Sequence, residues 1–203
     1  MVSSTFVAQE VIKALLVVGV TLFLAPRITS RWQLRNKRRE LDLATVAQFS
    51  SAYAEYKEVW RLWRIAQPEN DDAKQQELLK RAIAAEAKAD AIIVKLVVER
   101  VLSDDEKRCL GLFRQSYQFL RHRIAKRESM EFDWRTPQYI VFNEYTARVA
   151  RLIDQDAPDQ PPSADVAAQQ IHEVSRVRIE DWQRELDSPR IKAIAERATL
   201  SHS

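Results

Sequence analysis

The chain has 203 residues, of which 30% are charged and only two are glycine, and its formal net charge is +3. A composition this rich in charge and this poor in glycine predicts long helices with few tight turns. The length is sufficient for one membrane segment and one domain with a buried core. The lone cysteine, Cys109, excludes an internal disulfide framework, and two glycines cannot build a glycine-rich phosphate-binding loop.

The chain begins with an apolar stretch that is followed by a basic run. No charged residue lies between Ala14 and Pro26, and residues 6–26 provide about the 20 residues that a helix needs to cross a bilayer. The positive charges follow the apolar run, whereas a secretory signal carries them in front of it. We therefore predict a transmembrane anchor over residues 1–26 in the bacterial inner membrane, with the amino terminus outside and the remainder cytoplasmic. The alternative is an amphipathic or buried amino-terminal helix.

The basic run predicts a juxtamembrane helix over residues 27–45. Its cations would lie beside the bilayer and attract anionic lipid by about 1 kcal/mol per charge near the surface. Setting the topology of the anchor is an alternative role for the same charges. We call these residues the basic collar: Arg27, Arg31, Arg35, Lys37, Arg38 and Arg39.

The predicted anchor also contains polar side chains, which are costly to expose to lipid. Their spacing places them on one side of a helix. There they would either line a narrow aqueous path in a ring of anchors or lie hydrated at the outer interface. Gly19 allows close helix approach, so self-association is expected in either case. The polar residues are Gln9, Glu10, Lys13 and Thr21.

Residues 46–203 have the pattern of an all-α cytoplasmic bundle of about five helices. The first of these helices carries a mainly aromatic stripe, with members three and four residues apart. Such a stripe is predicted to form core, or a contact shared between protomers, because aromatic side chains bury large areas. Its members are Val46, Phe49, Tyr53, Tyr56, Trp60 and Trp63.

The next two helices are predicted from their periodicity and from one capping motif. Residues 72–102 predict a long helix, and Ser103 and Glu106 have the spacing of a capping box that opens the following one. The predicted apolar side of the first is Leu79, Ile83, Ile92, Leu96, Val97 and Val101. That of the second is Leu110, Phe113, Tyr117, Leu120 and Ile124.

A fourth and a fifth helix complete the predicted bundle, and a short terminal helix follows them. Thr136 and Pro137 are typical of a helix start, and the predicted stripe after them is Tyr139 or Ile140, Phe142, Tyr145, Val149, Leu152 and Ile153. Residues 164–186 predict a single fifth helix, with Ile171, Val174 and Trp182 facing inward. Ser188 and Pro189 then start a short terminal helix that ends near Leu200.

No catalytic signature is found, so we expect no enzymatic activity, no cofactor and no metal. The three histidines lie far apart and lack metal-ligand spacing. A nucleic-acid partner is not expected, although the cations Arg121, His122, Arg123, Lys126 and Arg127 would be the place for one. Such cations also complement the dipole at a helix end.

One short pattern supports a second hypothesis, a ribonuclease. Arg197-Ala-Thr-Leu-Ser-His202 resembles the R-x-x-x-x-H pattern of the HEPN ribonucleases, a family of α-helical RNA-cleaving domains. The resemblance implies a composite RNA-cleaving centre to which two protomers each contribute Arg197 and His202.

The layout of an amino-terminal membrane helix, the basic collar and a small helical domain resembles the membrane-anchored effectors of bacterial antiviral systems. One example is the membrane accessory protein of Cas13b-type CRISPR loci, which has a degenerate HEPN-like domain. The resemblance implies a homo-oligomeric effector, pore-forming or scaffold subunit with anionic lipid as a partner. A passive adaptor that tethers a cytosolic protein is the third hypothesis.

Overall fold

The computed structural model of the protein describes residues 25–66, 71–131, 133, 135–155, 158 and 160–200, with side chains between residues 43 and 197. Within these residues the fold is all-α, as predicted, and contains no strand. The described part of the chain contains seven helices: α1 (Ala25–Ala66), α2 (Asp72–Glu99), α3 (Asp104–Ala125), α4 (Pro137–Asp154), α5 (Ala164–Arg176), α6 (Ile179–Leu186) and α7 (Pro189–Leu200).

The chain divides into two compact units, Met1–Ala44 and Thr45–Ser203, and α1 contributes residues to both. The predicted anchor lies outside the described residues except at its carboxyl end. Among the described residues, no helix has the length and apolar character needed to span a bilayer. The buried hydrophobic core described by the structure lies in the second unit.

Local capping explains where several helices begin. The side chain of Asp71 accepts a hydrogen bond from the Ala73 amide at 2.9 Å, at the start of α2. The predicted capping box is confirmed, because the Ser103 amide donates to Glu106 Oε2 at 2.7 Å while the Glu106 amide donates to Ser103 Oγ at 3.3 Å. The Thr136 cap before Pro137 is also confirmed. Each cap satisfies amides that a helix start leaves without intrahelical partners.

Helix α3 is the centre of the bundle and packs against α2, α4, α5 and α6. The five apolar residues predicted for this helix are all buried. Gly111 allows a close approach here, because a Cβ at this position would lie 2.4 Å from Val177 Cγ2. The connection between α5 and α6 therefore touches the backbone of α3.

The predicted fifth helix is wrong as a single element, because it is divided into α5 and α6 around Val177 and Arg178. The Val177 carbonyl accepts a hydrogen bond from Gln115 Nε2 at 2.7 Å, and the Arg178 amide donates to Asp181 Oδ2 at 2.9 Å to begin α6. Of the predicted inward residues, Val174 and Trp182 are buried, but Ile171 is exposed.

Two other predicted apolar stripes also differ from the structure in part. Val46 on α1 is exposed, and the neighbouring Thr45 is buried in its place. Ile83 on α2 and Val101, which lies just beyond the end of that helix, are exposed, so the prediction that both face the core is wrong. The buried side of α2 is instead rich in alanine, which permits close packing against α3: Leu78, Ala82, Ala85, Ala89, Ile92, Ile93, Leu96 and Val97.

Helix α2 ends at Glu99, three residues before the predicted end, because Arg100 is extended. The Arg100 side chain is buried, and its guanidinium donates hydrogen bonds to the Ile153 and Gln155 carbonyls at the end of α4. The extended backbone is held by Gln170 of α5, which accepts from the Leu102 amide at 2.7 Å and donates to the Arg100 carbonyl at 2.9 Å.

Candidate interaction surface

The structure places the aromatic stripe of α1 against helices of its own bundle. Tyr56, Trp60 and Trp63 are buried, whereas Phe49 and Tyr53 are partly buried. The ring centroids of Tyr56 and Phe142 are 3.9 Å apart, and those of Phe49 and Phe113 are 6.0 Å apart. These intramolecular contacts fix the carboxyl-terminal half of α1 against α3 and α4.

The hydroxyls of this core are not suited to proton transfer near neutral pH. Tyr56 and Tyr117 have buried hydroxyls with no hydrogen-bond partner among the described residues. Burial, and then the proximity of Tyr117, raises the pKa of Tyr56 well above its ordinary value. Burial raises the pKa of Tyr117 as well. Both phenols therefore remain protonated and packed.

A polar cluster that the sequence did not predict joins α1 to α4. Lys57 Nζ donates to the Tyr53 hydroxyl at 3.1 Å and to the Tyr139 hydroxyl at 3.4 Å, and Tyr53 donates to Asn143 Oδ1 at 3.0 Å. Partial burial lowers the pKa of Lys57, but the hydrogen bonds to Tyr53 and Tyr139 outweigh it, so the pKa is raised. An ammonium that stays charged is a poor nucleophile, so this cluster is a bridge between helices.

Three members of the basic cluster at the end of α3 are paired within the chain. Arg121 Nε is 2.6 Å from Glu86 Oε2, and Arg123 Nη1 is 2.7 Å from Glu128 Oε2. Arg127, whose backbone φ is +57°, pairs with Asp72. These carboxylates reduce the local positive potential that a phosphate backbone would meet.

The residues of the ribonuclease hypothesis are described only in part. Arg197 is exposed in the last turn of α7, and His202 lies outside the described residues. Elsewhere, Cys109 is buried, and its burial raises the pKa of the thiol to about 12, so it is not a ready nucleophile. No group of three potential metal ligands occurs among the described residues.

Of the other predicted site residues, the basic collar lies in the part of α1 whose side chains are not described. Gln9, Glu10, Lys13 and Thr21 precede the described residues.

The outer side of α2 carries exposed aliphatic residues. Ile83, Val94 and Val98 are 50%, 47% and 44% exposed, which is unusual for three large aliphatic residues on one helix face. Their spacing repeats with the helical period, and exposed Ala87 and Ala91 lie between them. We call this set the outer stripe of α2: Ile83, Ala87, Ala91, Val94 and Val98.

An apolar groove of about 590 Å³ lies beside the outer stripe, between α1 and α2. Its lining consists of four small side chains, Ala47 and Ser51 of α1 and Ala87 and Ala91 of α2, together with Gln48 and Lys88. At its edge, Lys88 Nζ donates to Ser51 Oγ at 3.1 Å, and no described carboxylate forms an ion pair with this lysine. The large aliphatic side chains Ile83, Val94 and Val98 therefore form a ridge next to this small-residue groove. A ridge and a groove on one face have the shape that accepts another helix.

Comparisons with protein-family models, with curated proteins and with solved structures find no match to this chain. The class that the fold defines is an all-α helical bundle with a candidate helix-docking surface. That surface and the amino-terminal sequence are the features that bear on its function.

Proposed function

We propose that this chain is a single-pass, self-associating helical protein that acts as an effector or scaffold at the bacterial inner membrane. The outer stripe of α2 is the observation that carries self-association, because contiguous exposed aliphatic residues on a helix mark interaction surfaces. The apolar segment 6–26 and the basic collar after it support the membrane location. The likeness of layout to membrane-anchored antiviral effectors suggests defence as the setting.

The energetics favour assembly that depends on the membrane. Full burial of an aliphatic side chain contributes about 1.5–3 kcal/mol. Ile83, Val94 and Val98 are each about half exposed, so covering them in two copies contributes roughly 6 kcal/mol in total. The loss of translational and rotational freedom on association costs about 4–15 kcal/mol. The contact is therefore weak between bundles free in water, and confinement by an anchor would raise the effective concentration.

The proposal is tested by measuring the mass of the full-length protein in mild detergent and that of a variant lacking residues 1–39. We expect a defined oligomer for the full-length protein and a concentration-dependent, weaker association for the shortened one. A monomeric full-length protein would contradict self-association and favour the passive adaptor. Membrane retention after alkaline extraction tests the anchor separately, and release of the protein into the supernatant would contradict it.

A further inference from the structure

The outer stripe of α2 is bordered by charges of opposite sign on its two edges. On the edge towards α3, Glu86 pairs with Arg121, and Asp90 Oδ1 is 3.5 Å from Arg114 Nε. On the edge towards α1, Lys88 and Lys95 donate hydrogen bonds to the hydroxyls of Ser51 and Thr45. Any partner that covers the stripe has to meet both edges.

Two of these charges are incompletely compensated within the chain. The Lys88 ammonium is exposed and has a hydroxyl rather than a carboxylate as its partner. Burial raises the pKa of Asp90, and the nearby Arg114 offsets this only in part. The Asp90 side chain is 44% exposed, so a further cation could reach it from outside. A partner that places a carboxylate beside Lys88 and a cation beside Asp90 would complete the compensation of both charges.

A second copy of the same face offers that combination in one orientation only. A two-fold axis parallel to α2 exchanges the edges, so Lys88 of each copy faces Asp90 of the other. A two-fold axis perpendicular to α2 brings like edges together, with Lys88 and Lys95 against the same lysines. In the parallel arrangement, the large aliphatic side chains of each copy also meet the small-residue groove of the other copy, because the side chains and the groove belong to the same face.

We infer that two copies of this chain associate through the outer stripes of α2, packed in parallel, with Lys88 of each copy paired to Asp90 of the other. This inference rests on the proposed self-association and names the surface that produces it. Ala87 and Ala91 allow the two helices to approach closely at the centre of the contact.

Single cysteines in the full-length protein in mild detergent test the arrangement. Ile83→Cys and Val98→Cys lie 15 positions apart, about 22 Å along a helix. Parallel packing places each new thiol beside the same thiol of the other copy, so each variant alone should form a disulfide-linked dimer when a mild oxidant is added to accept the two electrons. The native Cys109 is buried and should not contribute. Val166→Cys, at a similarly exposed position on α5, is the matched control and should remain monomeric under denaturing conditions.

Other outcomes would overturn the inference in distinct ways. Cross-links that form only between Ile83→Cys and Val98→Cys chains would show antiparallel packing. A full-length protein that is oligomeric but not cross-linked by either variant would overturn this surface and leave the proposed self-association standing. A monomeric wild type would remove both. Cross-linking of Val166→Cys to the same extent as Ile83→Cys and Val98→Cys would indicate random collision and would also contradict the proposed contact surface.

Charge reversal tests the ion pair independently of cysteine chemistry. Lys88→Glu and Asp90→Lys should each weaken association about tenfold, because two symmetric pairs become like-charged. The double variant should recover most of the loss, since the pairs are restored with their signs exchanged. Lys192→Glu, on α7, is the control and should have no effect. Additive losses in the double variant would contradict the proposed pairing.

Discussion

Replacing Gly111 by alanine tests whether the α5–α6 connection packs directly on α3. A Cβ at this position would lie 2.4 Å from Val177 Cγ2, 2.6 Å from Val177 Cβ and 3.0 Å from the Val174 carbonyl oxygen. Rotation of the Val177 side chain could relieve the first contact but not the other two. The connection would therefore have to move away from α3.

Gly111→Ala has two opposing effects on the free energy of unfolding, a gain in helix propensity and a loss from overpacking. Alanine is favoured over glycine inside a helix by about 0.8–1.0 kcal/mol, whereas overpacking a well-packed site costs about 1–3 kcal/mol. Because two of the three contacts involve atoms that cannot rotate away, we expect the upper part of that range. The free energy of unfolding should then fall by about 1–2 kcal/mol, and the melting temperature by roughly 2–8 °C for a unit of this size.

Urea unfolding of residues 45–203, followed by tryptophan fluorescence, measures this change, because Trp60 and Trp182 are buried. Val177→Ala in the same background should recover part of the loss, since it removes the Cγ2 contact and leaves the Cβ contact. A double-mutant cycle should give a coupling of more than about 0.5 kcal/mol. If Gly111→Ala instead raises the free energy of unfolding by about 1 kcal/mol, only helix propensity is acting and the close approach is refuted.

Two further predictions concern buried polar groups. Gln170→Leu should lower the free energy of unfolding by about 2–4 kcal/mol, because the Leu102 amide and the Arg100 carbonyl lose their buried partner. The control Gln169→Leu, on the exposed side of α5, should change the free energy of unfolding by less than about 0.5 kcal/mol, and equal losses in the two variants would contradict the role of Gln170. Stability should also fall as pH rises above about 9, because the Cys109 thiol has its ordinary pKa of 9.0 when unfolded but a pKa of about 12 when folded. The unfolded chain then binds fewer protons, so the free energy of unfolding decreases with pH. Cys109→Ala should remove the part of that decrease that begins near pH 9. Urea titrations at several pH values measure this change, and a pH profile identical to that of the wild type would contradict the prediction.

The features that the sequence predicts well are local ones. The Ser103–Glu106 capping box and the Thr136 cap involve residues three positions apart, so their spacing contains all the necessary information. The buried face of α3 is also confirmed, because that helix has one strongly apolar stripe and is surrounded by other helices.

The errors arise where another helix decides the outcome. Helix α2 has two apolar stripes, and periodicity alone does not say which one meets α3; the alanine-rich stripe is buried because it lets the helices approach closely. The break at Val177 depends on the amide of Gln115 and the missing side chain of Gly111, both on α3. No proline or glycine marks that break. The Lys57 bridge has no sequence signal because Tyr139 lies 82 residues away along the chain.

Under the proposed membrane anchoring, the composition of the outer stripe predicts an association that the membrane controls. Valine and alanine expose less apolar area than leucine or phenylalanine, so a contact built from Ala87, Ala91 and Val94 is weak in solution. Anchoring two chains in one bilayer raises their effective concentration without adding any contact. A stronger surface would associate wherever the protein was made, whereas a weak one associates where anchors are concentrated. A weak α2 contact is therefore what a tethered, reversible assembly requires.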